Sequence, residues 1–177
     1  MENNHAIRFG IMAGLGTVGF LFLFYWIEKR LMLSPGIIWS TIFLYLMGMY
    51  MAALEVRKEN GGYLEFKPAL KQTFLVWVIA NGIYHFYNYF LYNFLDTDML
   101  NVQRLYMEEN MEQMEGFLNE QQMELFKQGI QELNYNFSTV ITTYFSSLIG
   151  GFIIAAAIAR LVRRKPVFSD QEENTDR

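Results

Sequence analysis

Asn81, His85, Asn88 and Tyr92 step along the chain by 4, 3 and 4, which puts them on one face of a helix whose neighbouring residues are apolar. Such polar groups are costly in hydrocarbon unless they meet protein or water, so this face is expected to turn inward. Thr139, Thr142, Thr143, Ser146 and Ser147 form a second polar set, with Thr143 to Ser147 at about the depth of Asn88 to His85. Two chemistries are open. The amides and hydroxyls can hydrogen-bond between helices, worth about 0.6–2 kcal/mol each as packing glue. Alternatively His85, whose charge changes near neutral pH, is a proton or ligand site in a polar cavity, although no carboxylate stands beside it to complete a relay.

Other residue sets carry weaker chemistry. Met107, Met111 and Met114 place three thioethers on one helix face, a spacing soft Cu(I) could use. Methionine is also the usual filler of irregular apolar interfaces, and no histidine or cysteine joins the set, so with Met123 these residues are read as a partner-contact surface. Gly10 and Gly14 have the small-xxx-small spacing that lets helix backbones approach, and Gly150 and Gly151 are further candidate helix-packing glycines in a later segment. Packing within the bundle and a contact between copies are both open to them. The chain has no cysteine, which removes disulfides, thiolate metal sites and cysteine nucleophiles. There is no glycine-rich phosphate loop, zincin motif, nucleophile elbow or pair of intramembrane aspartates, so no enzymatic activity, cofactor or metal is expected. Asn136-Phe137-Ser138 has the form of a glycosylation sequon and is read as coincidental at a membrane edge.

The elements that position these residues follow from charge spacing. Between charged residues lie four long runs, Phe9 to Ile27, Leu31 to Leu54, Gln72 to Leu95 and Leu133 to Ala159, of 19, 24, 24 and 27 residues. About 20 apolar residues in a helix cross the roughly 30 Å of bilayer hydrocarbon, and the period-2 alternation of barrel strands is missing. The first run reaches Glu28-Lys29-Arg30 without a small-x-small cleavage site and is read as a retained helix rather than a signal peptide. Ser34-Pro35 predicts a capped start for the second span, Lys67-Pro68 repeats the device before the third, and Gly61-Gly62 marks a turn between them. The expected spans are about 9–27, 35–54, 70–95 and 136–159, in one membrane domain covering 1–177, with a tail from 160 to 177.

Lys and Arg set the orientation. The N-terminus, second loop and tail hold ten of them, Arg8, Arg57, Lys58, Lys67, Lys71, Arg160, Arg163, Arg164, Lys165 and Arg177, against four on the other side, Lys29, Arg30, Arg104 and Lys127. Basic flanks stay in the cytoplasm, so both termini are expected inside. The segment from Asp96 to Glu132 then lies outside; its nine acidic residues lack calcium-loop spacing and are read as a solvated helix face. Met107, Met111, Met114 and Leu118, then Met123, Phe126, Ile130, Leu133 and Phe137, follow helical steps, which predicts an amphipathic hairpin over about 97–134. Asn119 and Gln122 have capping-box spacing at the start of its second helix, which is expected to run unbroken into the fourth span. The net charge of −4 offers nothing to nucleic acid, while the basic cluster after the last span suits anionic headgroups.

The stretch Gly61-Gly62-Tyr63-Leu64-Glu65-Phe66-Lys67, the Tyr- and Asn-rich exit from Tyr87 to Phe94, the Asp-rich start of a Met- and Glu-rich hairpin and the basic end resemble a bacterial four-span membrane family, domain of unknown function 4199. The resemblance covers nearly the whole chain. It implies a small inner-membrane protein with no assigned activity, cofactor or catalytic residues. Where that family has a proline-containing Asp-Pro-like step after the third span, this chain has Asp96-Thr97-Asp98, so a less sharply broken hairpin start is expected. The sequence therefore predicts an all-α, four-helix transmembrane bundle with an extracytoplasmic hairpin. Its expected role is non-enzymatic, as a structural or interaction protein meeting its own copy or a membrane or envelope protein; the alternative is a small transporter or proton-coupled carrier centred on His85.

Overall fold

The computed structural model describes residues 3–113, 116–117 and 119–164. Met114, Leu118, Lys165 and Arg177, which figured in the hairpin and charge expectations, lie outside the described residues. Every regular element among the described residues is a helix: α1 (Asn3–Ile27), α2 (Lys29–Met32), α3 (Pro35–Ser40), α4 (Ile42–Glu59), α5 (Phe66–Phe90), α6 (Met99–Gln113), α7 (Glu120–Gln131) and α8 (Phe137–Val162). A π-helical segment, Leu91–Leu95, extends α5 before the chain leaves at Asp96.

Among the described residues, three stretches are long and apolar enough to cross a membrane: Asn4–Ile27, Pro35–Glu59 and Phe137–Val162. Their outward faces carry large apolar side chains such as Leu23, Trp39, Phe145 and Ile153, all exposed. Helix α5 has 25 residues, as α1 does, but Lys67, Lys71, Gln72, Asn81, His85 and Asn88 dilute its apolar character. Those polar groups belong to a helix on which α1, α4 and α8 all pack.

Small residues allow that closeness. The central core gathers Ala6, Ala13, Ala52, Ala80 and Ala155 around Tyr45, Met49 and Val76. A Cβ on Gly10 would sit 2.9 Å from Ile79 Cβ, and one on Gly14 would sit 2.8 Å from Ile83 Cδ1, so both glycines set the approach of α1 to α5. Gly150, by contrast, has nothing within 4 Å of its Cβ position.

One end of the bundle joins three parts of the chain. Leu64 and Arg164 pair as a short antiparallel bridge, with N···O distances of 3.0 and 2.8 Å. His5 Nε2 lies 2.7 Å from Glu59 Oε1, and Arg57 donates to the Val162 carbonyl at 3.3 Å. Gly61 and Gly62 adopt φ of 67° and 95°, the left-handed turn that lets α4 reverse into α5.

Helix boundaries depart from expectation at several points. Ser34 occupies the N-cap before Pro35, but its side chain makes no capping bond. Helix α5 starts at Phe66 rather than near residue 70, with Pro68 inside its first turn, where a missing N–H leaves no bond unmade. Helices α7 and α8 are not continuous. Asn134 donates to the Glu132 carbonyl and accepts from the Thr139 hydroxyl, while Asn136 Oδ1 takes the Thr139 N–H at 2.8 Å. These side chains capture the groups an unbroken helix would use, and α8 starts afresh at an Asn cap. Asn119 and Gln122 do form the reciprocal capping box at the head of α7.

Candidate functional site

Asn81, His85 and Asn88 lie along α5, and α8 supplies the facing residues. The Asn81 amide donates to Ser147 Oγ at 2.6 Å, and Ser147 passes its own proton to the Tyr144 carbonyl at 2.6 Å. Tyr144 closes the arrangement by donating to the Val78 carbonyl at 3.3 Å. One turn further out, the His85 ring meets Tyr84 and Tyr144 edge-on, with centroids 5.4 and 5.9 Å away.

Beyond His85 a cavity of about 300 Å³ opens between α5, α8 and the linker that precedes α8. Its walls include Tyr84, His85, Asn88, Tyr135, Thr139 and Thr143. Thr143 and Thr142 donate back to the carbonyls of Thr139 and Ser138, both at 2.9 Å. Their hydrogens are therefore spent within α8, and Thr143 offers the cavity an acceptor oxygen. Ser146 is exposed and belongs to neither the Asn81 contact nor the cavity wall. Tyr92, the last member of the stripe, stacks on Tyr135 with centroids 3.8 Å apart and planes 7° from parallel. It serves the packing of the outer end.

His85 also borders a second space. A groove of about 270 Å³, lined by Gly82, Phe86, Tyr89, Phe137, Ile141 and Tyr144, shares His85 and Val140 with the polar cavity. Sequence reasoning passed over Tyr144, although it stands three residues before Ser147 on the same helical face. It also missed Thr73, whose hydroxyl lies 3.0 Å from the Ala155 carbonyl of α8 in the buried core.

The family described as Protein of unknown function (DUF4199) matches residues 8–164. The chain belongs to this family. The match runs from the second turn of α1 to the Leu64–Arg164 bridge, so the DUF4199 region holds most of α1, all of α2 to α8, the polar cavity and the groove. No curated protein and no solved structure matches the chain.

The other expected sites of this DUF4199 member are placed as follows. Gly151 lies under the Trp77 indole, which a Cβ there would overlap. In the hairpin, Met111 is buried and Met107 and Met123 are half-buried. The most open apolar residues described there are instead Phe117 and Leu125, 88% and 62% exposed, with Leu105 and Phe126 also exposed. Among the described residues no cluster of His, Asp or Glu is arranged to hold a metal ion.

The hairpin is tied to the bundle by charge. Asp96 accepts from the Tyr25 hydroxyl at 2.8 Å and pairs with the Lys29 ammonium. Arg30 meets Glu109 of α6 at 2.9 Å, while within the hairpin Arg104 donates to the Leu133 carbonyl at 2.8 Å. Burial pushes the Asp96 carboxyl up, but the bonds from Lys29 and Tyr25 outweigh it and hold the group below its ordinary range.

Proposed function

We propose that the chain crosses the bacterial inner membrane four times, with both termini cytoplasmic, and works without chemistry of its own as an interaction protein through its outer hairpin. The Leu64–Arg164 bridge supports α5 as a membrane span, the third along the chain: α5 leaves and α8 returns at one end, while Asp96 and the hairpin lie at the other. At 1.5 Å per residue, the 25 residues of α5 reach about 38 Å, enough for the roughly 30 Å of hydrocarbon. Its Asn and His side chains are affordable there because three helices surround it. The bridged end carries Arg8, Arg57, Lys58, Lys67, Lys71, Arg160, Arg163 and Arg164, the far end Lys29, Arg30, Arg104 and Lys127. That bias favours cytoplasmic termini.

The exposure of Phe117 and Leu125 on a hairpin held by ion pairs carries the interaction reading. Apolar groups of that size, projecting beyond a span, are positioned to be covered by another protein or a second copy. Photo-crosslinkers at Phe117 and Leu125 in intact cells are expected to trap a species larger than the monomer at native expression. Recovery of monomer alone contradicts this reading.

A second reading has its own observation. The cavity beside His85 gives a carrier a polar compartment within the bundle. A His85→Leu variant that keeps every phenotype of the parent would remove it.

A further inference from the structure

We propose that the His85 cavity and the adjoining groove together form a binding slot for a single amphiphile, with its acyl chain in the groove and an uncharged hydrogen-bonding head in the cavity. The geometry has two unlike halves joined at one wall. The groove is walled by Gly82, Phe86, Phe137, Ile141 and the ring of Tyr144, chemistry that suits hydrocarbon. Phe86, Phe137 and Ile141 are exposed, so the groove opens on the apolar outer faces of α5 and α8. Lipid chains meet that surface first in a membrane-spanning bundle. The cavity offers Tyr84, His85, Asn88, Tyr135, Thr139 and Thr143, a mixture of donors and acceptors.

His85 and Val140 line both spaces and form the wall between them, so a molecule that occupies both must displace the imidazole. That position suits the junction of a glycerol ester, where an apolar chain gives way to carbonyl and hydroxyl groups. Among the described residues no Lys, Arg, Asp or Glu lines either space, so an ionised head finds no countercharge there. Each volume lies near the lower limit of small-molecule sites, about 300 Å³, which favours one chain over a bulky diacyl lipid. Gly82 leaves the groove floor open: a Cβ there would come no nearer than 3.7 Å to Tyr144.

The inference rests on the four-span reading but not on transport. The test uses the full-length protein in phosphatidylcholine vesicles and a monoacylglycerol bearing a diazirine midway along its chain. Labelling is expected to concentrate on Phe86, Phe137 and Ile141. Unlabelled monoacylglycerol should suppress it at a concentration at least ~10-fold below that of an alkane of equal length, a discrimination of about 1.4 kcal/mol. His85→Leu should narrow that ratio to less than ~3-fold while labelling persists. Gly82→Leu, or Ile141→Trp should the first variant not fold, should abolish groove labelling. Equal competition by the alkane would mean ordinary annular lipid and overturn the proposal, as would stronger competition by the ionised fatty acid or suppression by glycerol alone. Labelling spread evenly over α1 and α8 overturns it too. None of these readouts reports topology, so failure of the slot and failure of the four-span reading are told apart by the thiol mapping that closes the Discussion.

Discussion

Lys29, just past the end of α1, is ion-paired with Asp96, just past the π-helical end of α5, and the pair fastens the first turn of the chain to the root of the hairpin. The Asp96 side chain is only 11% exposed and also accepts from Tyr25. The bond to Asp96 outweighs the opposing effect of burial and holds the Lys29 ammonium above its ordinary value.

Both signs define a pH window for this latch. The folded Asp96 carboxyl lies below its ordinary 3.8, so its contribution is complete above that pH and is lost as pH falls through the folded value. The folded Lys29 ammonium lies above its ordinary 10.5, so its contribution is complete below that pH and is lost as pH rises through the folded value. Lys29 is 42% exposed, and after solvent screening Asp96→Asn is expected to cost about 1 kcal/mol. Hydrogen exchange should show that loss first in α6, and added salt should shrink the difference between variant and parent.

Adjacent glycines on α8 predict opposite outcomes. Gly151→Ala drives a methyl into the Trp77 indole and should destabilise the bundle by about 1–3 kcal/mol. Gly150→Ala meets nothing within 4 Å and should be neutral or slightly stabilising, since alanine favours helix over glycine. Thermal unfolding in detergent separates them. Equal melting temperatures would show that Trp77 does not rest on Gly151.

Asn81 and Ser147 form a side-chain hydrogen bond across α5 and α8, on the polar face of α5. A double-mutant cycle with Asn81→Ala and Ser147→Ala should return a coupling of about 0.6–2 kcal/mol. Additive losses would mean that the contact orders the pair without stabilising it.

The break between α7 and α8 depends on Asn134 and Asn136. Asn136→Ala removes an N-cap bond and should cost about 1 kcal/mol. Changing both asparagines to alanine should slow amide exchange over 132–136 as the helices join. Unchanged exchange there would assign the break to packing of Tyr135 against Tyr92.

These features differ in how far the sequence reveals them. The stripe of Asn81, His85, Asn88 and Tyr92 is readable because helical spacing depends on nothing outside α5. Its use is not: Asn81 reaches Ser147, His85 and Asn88 line a cavity, and Tyr92 stacks on Tyr135, distinctions that come from the rotation of α8 and the path of the linker. The expected hairpin and its Asn119 capping box follow from local rules. The missing join between α7 and α8 does not, because an apolar period across 130–137 outweighs two asparagines in a pattern search, whereas their backbone bonds prevail in the fold. Met111 resembles a contact residue by spacing, yet it is buried while Phe117 stands open. Gly10 and Gly14 leave a bundle contact and a dimer contact open in sequence; their closeness to Ile79 and Ile83 places them against α5.

The most direct test of the four-span reading uses the absence of cysteine from the chain. Single substitutions Asn4→Cys, Gly61→Cys, Gly116→Cys and Arg163→Cys are exposed, in intact cells and after permeabilisation, to a thiol reagent that cannot cross the inner membrane. The account predicts that Gly116→Cys alone reacts in intact cells and that the other three react only once the membrane is opened. Reaction of Arg163→Cys in intact cells, with Gly61→Cys and Gly116→Cys both protected, would mean that α5 does not cross, and would contradict it.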